Sequence, residues 1–140
     1  MALWPEVRVI AGATEMLGAL HGDYRLCIAT NASVSSRPMI EQALERVGLR
    51  ELFAAVFCYT ELGMRKESPA FWHAVARMLD LDFDGIAMLG DSLECDVRVP
   101  RALGIHAVWF NARGARSSPG VDVPAVHTLA DFVRVVRALG

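Results

Sequence analysis

Apolar positions along the chain alternate between two periods. Within residues 11–21, Ala13, Met16, Leu17 and Leu20 fall at i, i+3, i+4 and i+7, the stripe of an amphipathic helix, and Gly22-Asp23 breaks it. Residues 24–30 are short and mostly apolar and end in the polar run Thr30-Asn31-Ala32-Ser33, the pattern of a buried strand running into a loop. The alternation then repeats. It predicts a helix over 37–47, with Pro38 admissible in its first turn and Gly48 as its stop, then a strand over 52–59 and a helix over 69–79. A strand over 85–89 ends at Gly90-Asp91, followed by a short helix over 97–103, a strand over 105–110 and a C-terminal helix over 129–139. Residues 111–124, where Gly, Pro, Ser and Arg concentrate, read as one exposed loop. Short strands separated by helices predict right-handed βαβ crossovers and a mainly parallel sheet. The expected fold is therefore a three-layer α/β/α arrangement of Rossmann type, one domain over 1–140.

Composition narrows the function classes. A chain of 140 residues that is 54% hydrophobic has material for one packed core. A formal net charge of −2 with both signs dispersed gives no basic stripe for a phosphate backbone and no polybasic patch for anionic lipid. Nucleic acid and membrane are therefore not expected partners. No apolar run approaches the roughly 20 residues of a membrane span, and the N-terminus has no signal-peptide pattern. Cys27, Cys58 and Cys95 are odd in number and form no C-x-x-C pair, which fits a reducing cytoplasm.

In an open parallel sheet, ligands sit beyond the carboxyl ends of the strands, so polar residues just after apolar strands are the candidates for chemistry. Thr30-Asn31 offers a hydroxyl, an amide and backbone N–H groups to an anionic oxygen. Lys66 is a point cation on a loop that enters a helix. Asp91 and Asp96, five apart across a strand-to-helix turn, could share a hard cation such as Mg²⁺. Each also has a plainer reading when taken singly: Thr30-Asn31 and Asp91 as helix caps, Lys66 and Asp96 as surface charges.

Order and spacing together resemble a known family. Ile28-Ala29-Thr30-Asn31-Ala32, then Lys66-Glu67-Ser68-Pro69-Ala70-Phe71, then Met88-Leu89-Gly90-Asp91-Ser92 with Asp96 four residues on, and Ala102 and Gly104-Ile105 after them, resemble the second, third and fourth motifs of the haloacid dehalogenase superfamily. The resemblance implies a Mg²⁺-dependent hydrolase of phosphatase type acting on a small phosphorylated substrate. It gives Thr30 and Lys66 catalytic roles at the phosphoryl group, makes Thr30, Asn31 and Lys66 phosphate-binding, and makes Asp91 and Asp96 metal-site residues. Asp91 is then the direct ligand, Asp96 the acid that steadies the site, and Ser92 a supporting polar group.

The family's first motif, D-x-D-x-T/V, supplies the nucleophile, and the sequence has no Asp before Asp23. The resemblance therefore implies that the family's first strand and its cap are missing from these residues, and turnover by this chain alone is not expected. Asp80-Leu81-Asp82-Phe83-Asp84 has the carboxylate spacing but follows a helix and precedes its nearest strand, so it reads as an exposed turn. Trp72, Phe71 and Trp109 read as core, and Cys95 as structural beside an oxygen-preferring metal. Two further readings stay open: a module that binds phosphate, Mg²⁺ or a partner protein without turnover, and a metal-independent 2-haloacid dehalogenase. A sheet lacking its central strand would have unpaired edges, which predicts a homodimer or a rearranged sheet.

Overall fold

Every strand pair in the computed structural model is parallel, as expected of strands joined through helices. The structure describes residues 12–31, 37–111 and 123–139. By its contacts the chain divides into two compact units, Met1–Arg65 and Lys66–Gly140.

In the first unit, helix α1 (Ala13–His21) buries Ala13, Leu17 and Leu20, three of its apolar positions. Strand β1 (Cys27–Thr30) leads through helix α2 (Arg37–Arg46) to strand β2 (Ala55–Cys58), and the two strands pair from Cys27 with Ala55 to Thr30 with Cys58. Ile40 of α2 is buried with Val56 and Cys58 of β2, and Ile28 and Leu44 pack against them. Gly48 ends the α2 segment in the left-handed region, φ 77°, which a Cβ would disfavour. A single turn, α3 (Tyr59–Leu62), follows β2 directly.

In the second unit, α4 (Pro69–Leu79) begins with Pro at its first position, where no N–H is needed, and ends at Asp80 in the left-handed region. It buries Phe71, Trp72, Ala74 and Val75. Strand β3 (Ala87–Gly90) pairs with β4 (His106–Phe110), which pairs with a two-residue strand β5 (Ala125–Val126). Between β3 and β4 lie a π-type turn, Leu93–Arg98, and the short helix α5 (Val99–Leu103). Helix α6 (Leu129–Ala138) starts at Thr128, whose hydroxyl accepts from the Asp131 N–H at 3.2 Å, and buries Leu129, Phe132 and Val136.

The sequence pattern overextends the strands. Residues 24–26, 52–54 and 85–86, apolar or small apart from Arg25, lie outside the ladders, and 50–52 and 83–85 form 3₁₀ turns. The helix expected from 97 begins four residues earlier as the π turn. Strand β5 was not anticipated, and of the loop expected over 111–124, residues 112–122 lie outside the described residues. Asp80, Asp82 and Asp84 are all exposed around a 3₁₀ turn before β3, as their sequence setting indicated.

Candidate active site

The second unit assembles a charged site at the carboxyl end of β3. Strand β3 ends at Gly90, and the π turn that follows swings Asp96 back beneath it, where it is only 3% exposed. Glycine is required there by space: a Cβ on Gly90 would overlap the Asp96 carboxylate. Ser92 caps the turn, its hydroxyl accepting from the Cys95 N–H at 3.3 Å while its own N–H donates to Asp96 Oδ2 at 3.1 Å. In the usual capping box the reciprocal acid stands three residues after the cap. Here it stands four residues after, matching the wider turn, and π turns of this kind recur at functional sites.

Lys66 donates from Nζ to Asp96 Oδ1 at 2.5 Å, with the two side chains 13% and 4% exposed. Both Asp96 oxygens are thus engaged by the protein. A second bond ties the same two segments, the Cys95 thiol donating to Glu67 Oε1 at 3.3 Å. Burial pushes the Cys95 thiol above its ordinary range, and the carboxylates of Glu67 and Asp96 add to this against an opposing hydrogen bond with Ser92. Cys95 is consequently a neutral donor at neutral pH, which agrees with a structural role.

Two indoles hold the backbone of the loops that carry these charges. Trp72 Nε1 donates to the Lys66 carbonyl at 2.8 Å, and Trp109 Nε1 to the Asp91 carbonyl at 3.1 Å. The Asp91 residue itself is exposed. Thr30 and Asn31 belong to the first unit, Thr30 as the last residue of β1, opposite Cys58, and Asn31 immediately after it; both are half-buried.

This arrangement suits a hard cation on chemical grounds. Mg²⁺ takes one or two carboxylates, keeps several waters and does not need an all-protein cage. Among the described residues no three His, Cys, Asp or Glu side chains gather into such a cage. Asp91 is an exposed carboxylate, the donor type such an ion takes, five residues before the fixed Asp96, and the neighbouring thiol is a poor ligand for this metal.

The family model for haloacid dehalogenase-like hydrolases matches residues 1–104. The chain belongs to that family. Among curated relatives, the pyrimidine 5'-nucleotidase YjjG of Escherichia coli is 27% identical over 129 residues, covering 89% of this chain and 56% of that protein. Human N-acylneuraminate-9-phosphatase is 27% identical over 125 residues, covering 89% of this chain and 48% of its own length. The chain thus spans about half the length of these relatives. In fold it is similar to the HAD-hydrolase YfnB of Bacillus subtilis, solved bound to magnesium, with a TM-score of 0.81, 21% identity and coverage of 92% of this chain and 56% of that one. The α/β, Rossmann-like class expected from the strand and helix alternation is the fold of this family.

Sequence spacing singled out Lys66, Asp91 and Asp96 but missed what holds them. Trp72 and Trp109 were read as core alone, and their indole donors leave no trace in periodicity. One signal was available and overlooked: Lys66 is the single lysine of the chain, against thirteen arginines. Where the chain otherwise uses a planar fork, this position uses a compact ammonium on a flexible stem.

Proposed function

We propose that this chain carries the site of a phosphatase-type haloacid dehalogenase-like hydrolase, acting on a small phosphomonoester with Mg²⁺. The observation that carries the reading is the Lys66–Asp96 pair lodged under Gly90. A buried ion pair is weak as a stabilising device, because desolvation of both charges offsets most of their attraction. Retaining one next to an exposed Asp91, in a turn that only glycine permits, fits selection for charge placement.

In this reading Asp91 holds the metal and Asp96 steadies it by fixing Lys66 and the Ser92 N–H. Bound Mg²⁺ would neutralise charge on the phosphoryl oxygens. Lys66 presents its ammonium to the same group, and Thr30 and Asn31 at the end of β1 keep the phosphate-binding role that the family's second motif implies. Phosphoryl transfer depends mainly on such positioning and electrostatics. The attacking carboxylate of the family's first motif is not among these 140 residues, so complete turnover needs a carboxylate supplied by a segment or chain outside them. A second copy of this chain is the simplest source of further edge-strand partners, and sedimentation that finds only monomer at high concentration would remove it.

The test is Mg²⁺-dependent hydrolysis of p-nitrophenyl phosphate by the full chain, with Asp91→Ala and Lys66→Ala alongside. Turnover that falls at least about a hundredfold in both variants, the usual size of losing one preorganised charge, supports the reading. Turnover equal in all three proteins would defeat it. Absence of turnover in all three, with Mg²⁺ and phosphate still bound, is the outcome expected when no outside carboxylate is supplied, and would leave this chain by itself a binding module. Metal-independent release of halide from a 2-haloacid would favour the dehalogenase.

A further inference from the structure

Lys66 stands in a turn, outside any ladder or helix. The residue six positions later holds its backbone carbonyl. Trp72 lies on the first turns of α4, and side chains on a helix lean back toward its N-terminus, over the loop that precedes it. Its ring is 1% exposed and meets Phe71 edge-on, centroids 5.1 Å apart at 77°, so the indole plane is set by packing. In that plane the Nε1–H meets the Lys66 carbonyl at 2.8 Å. A buried indole N–H without an acceptor would be costly, so the ring and the loop hold each other. Filling this part of the core needs a large aromatic ring; it does not need a donor, which a phenylalanine would lack.

We propose that Trp72 is a positioning residue for Lys66: its indole N–H anchors the Lys66 carbonyl and so sets the reach of the ammonium toward Asp96 and the bound phosphoryl group. The proposal rests on the reading of Lys66 as the site's phosphate-binding cation, but its test does not.

Because the chain has a single lysine, ¹⁵N-lysine labelling of the full protein gives one side-chain ammonium signal. That signal is followed in the unaltered protein, in Trp72→Phe and in Phe132→Leu, which trims a buried ring on α6 instead. Trp72→Phe is expected to speed solvent exchange of the Lys66 ammonium about tenfold, the scale of one lost hydrogen bond, while Phe132→Leu leaves it unchanged. A signal unmoved in Trp72→Phe, or moved equally in Phe132→Leu, overturns the proposal. Should Trp72→Phe not fold, deuterium exchange at the Trp72 indole N–H of the unaltered protein decides: exchange at least about tenfold slower than a solvated indole is expected, and exchange as fast as one overturns it. Missing Mg²⁺-dependent phosphate binding in the unaltered protein would count against the functional reading alone, since the lysine signal reports the anchor directly.

Discussion

Both units carry ion pairs, and one pair of the second unit differs from those of the first in nearly every respect that decides what an ion pair does. In the first unit, Glu41 lies 3.9 Å from Arg37 and 3.4 Å from Arg50, and Arg37 also lies 3.6 Å from Glu61. These side chains are between 30% and 52% exposed, the contacts are long, and solvent screens them. In the second unit Lys66–Asp96 is short and almost wholly buried, and the other Asp96 oxygen accepts from the Ser92 N–H, whereas Arg98–Glu94 and Arg134–Asp131 are exposed like the pairs of the first unit. The exposed arrangement tolerates rearrangement because water can replace any partner. The buried pair cannot lose one member without stranding the other.

The largest effect that would sharpen this contrast is expected from Asp96→Ala. It leaves the Lys66 ammonium buried without its carboxylate and should destabilise by about 3–5 kcal/mol in urea unfolding. Adding Lys66→Met to that variant should restore much of the loss, because no charge is then stranded; a double variant as unstable as the single one would break the comparison. Gly90→Ala comes next. Its methyl must displace the Asp96 carboxylate, at a cost of about 1–3 kcal/mol, and the same unfolding curves measure it. A Gly90→Ala protein of unaltered stability would mean that the close approach is not required. The smallest effect belongs to Glu41→Ala, at most about 0.5 kcal/mol and vanishing at high salt. A cost above about 2 kcal/mol there would erase the distinction between the units.

Helices were the most legible part of the sequence. Helix α4 runs over the very residues its pattern marks, because Pro69 fixes the start and the apolar stripe ends where Asp80 turns left-handed. The first four strands were legible in order but not in length, since apolar residues flanking a parallel ladder look the same as those within it, and β5 was missed because it is too short to carry a period. The turn at Leu93–Arg98 escaped because a π turn has no 3.6-residue stripe and its key position is a buried acid, Asp96, where a pattern reader expects an apolar residue. The polar and charged candidates Thr30, Lys66, Asp91 and Asp96 were visible through their place after strands or at a loop. Their supports, Gly90 beneath Asp96 and the indoles of Trp72 and Trp109, depend on contacts between residues distant along the chain, which local pattern does not encode.

The central claim is that Asp91, beside the fixed Asp96, gives this chain a Mg²⁺ site able to hold a phosphoryl group. It is tested most directly by calorimetric titration of the full chain with Mg²⁺ in the presence of inorganic phosphate, repeated on Asp91→Ala. The account predicts saturable Mg²⁺ binding that weakens at least about tenfold in the variant, the loss expected when a direct carboxylate ligand is removed. Equal Mg²⁺ affinity in the two proteins would contradict it.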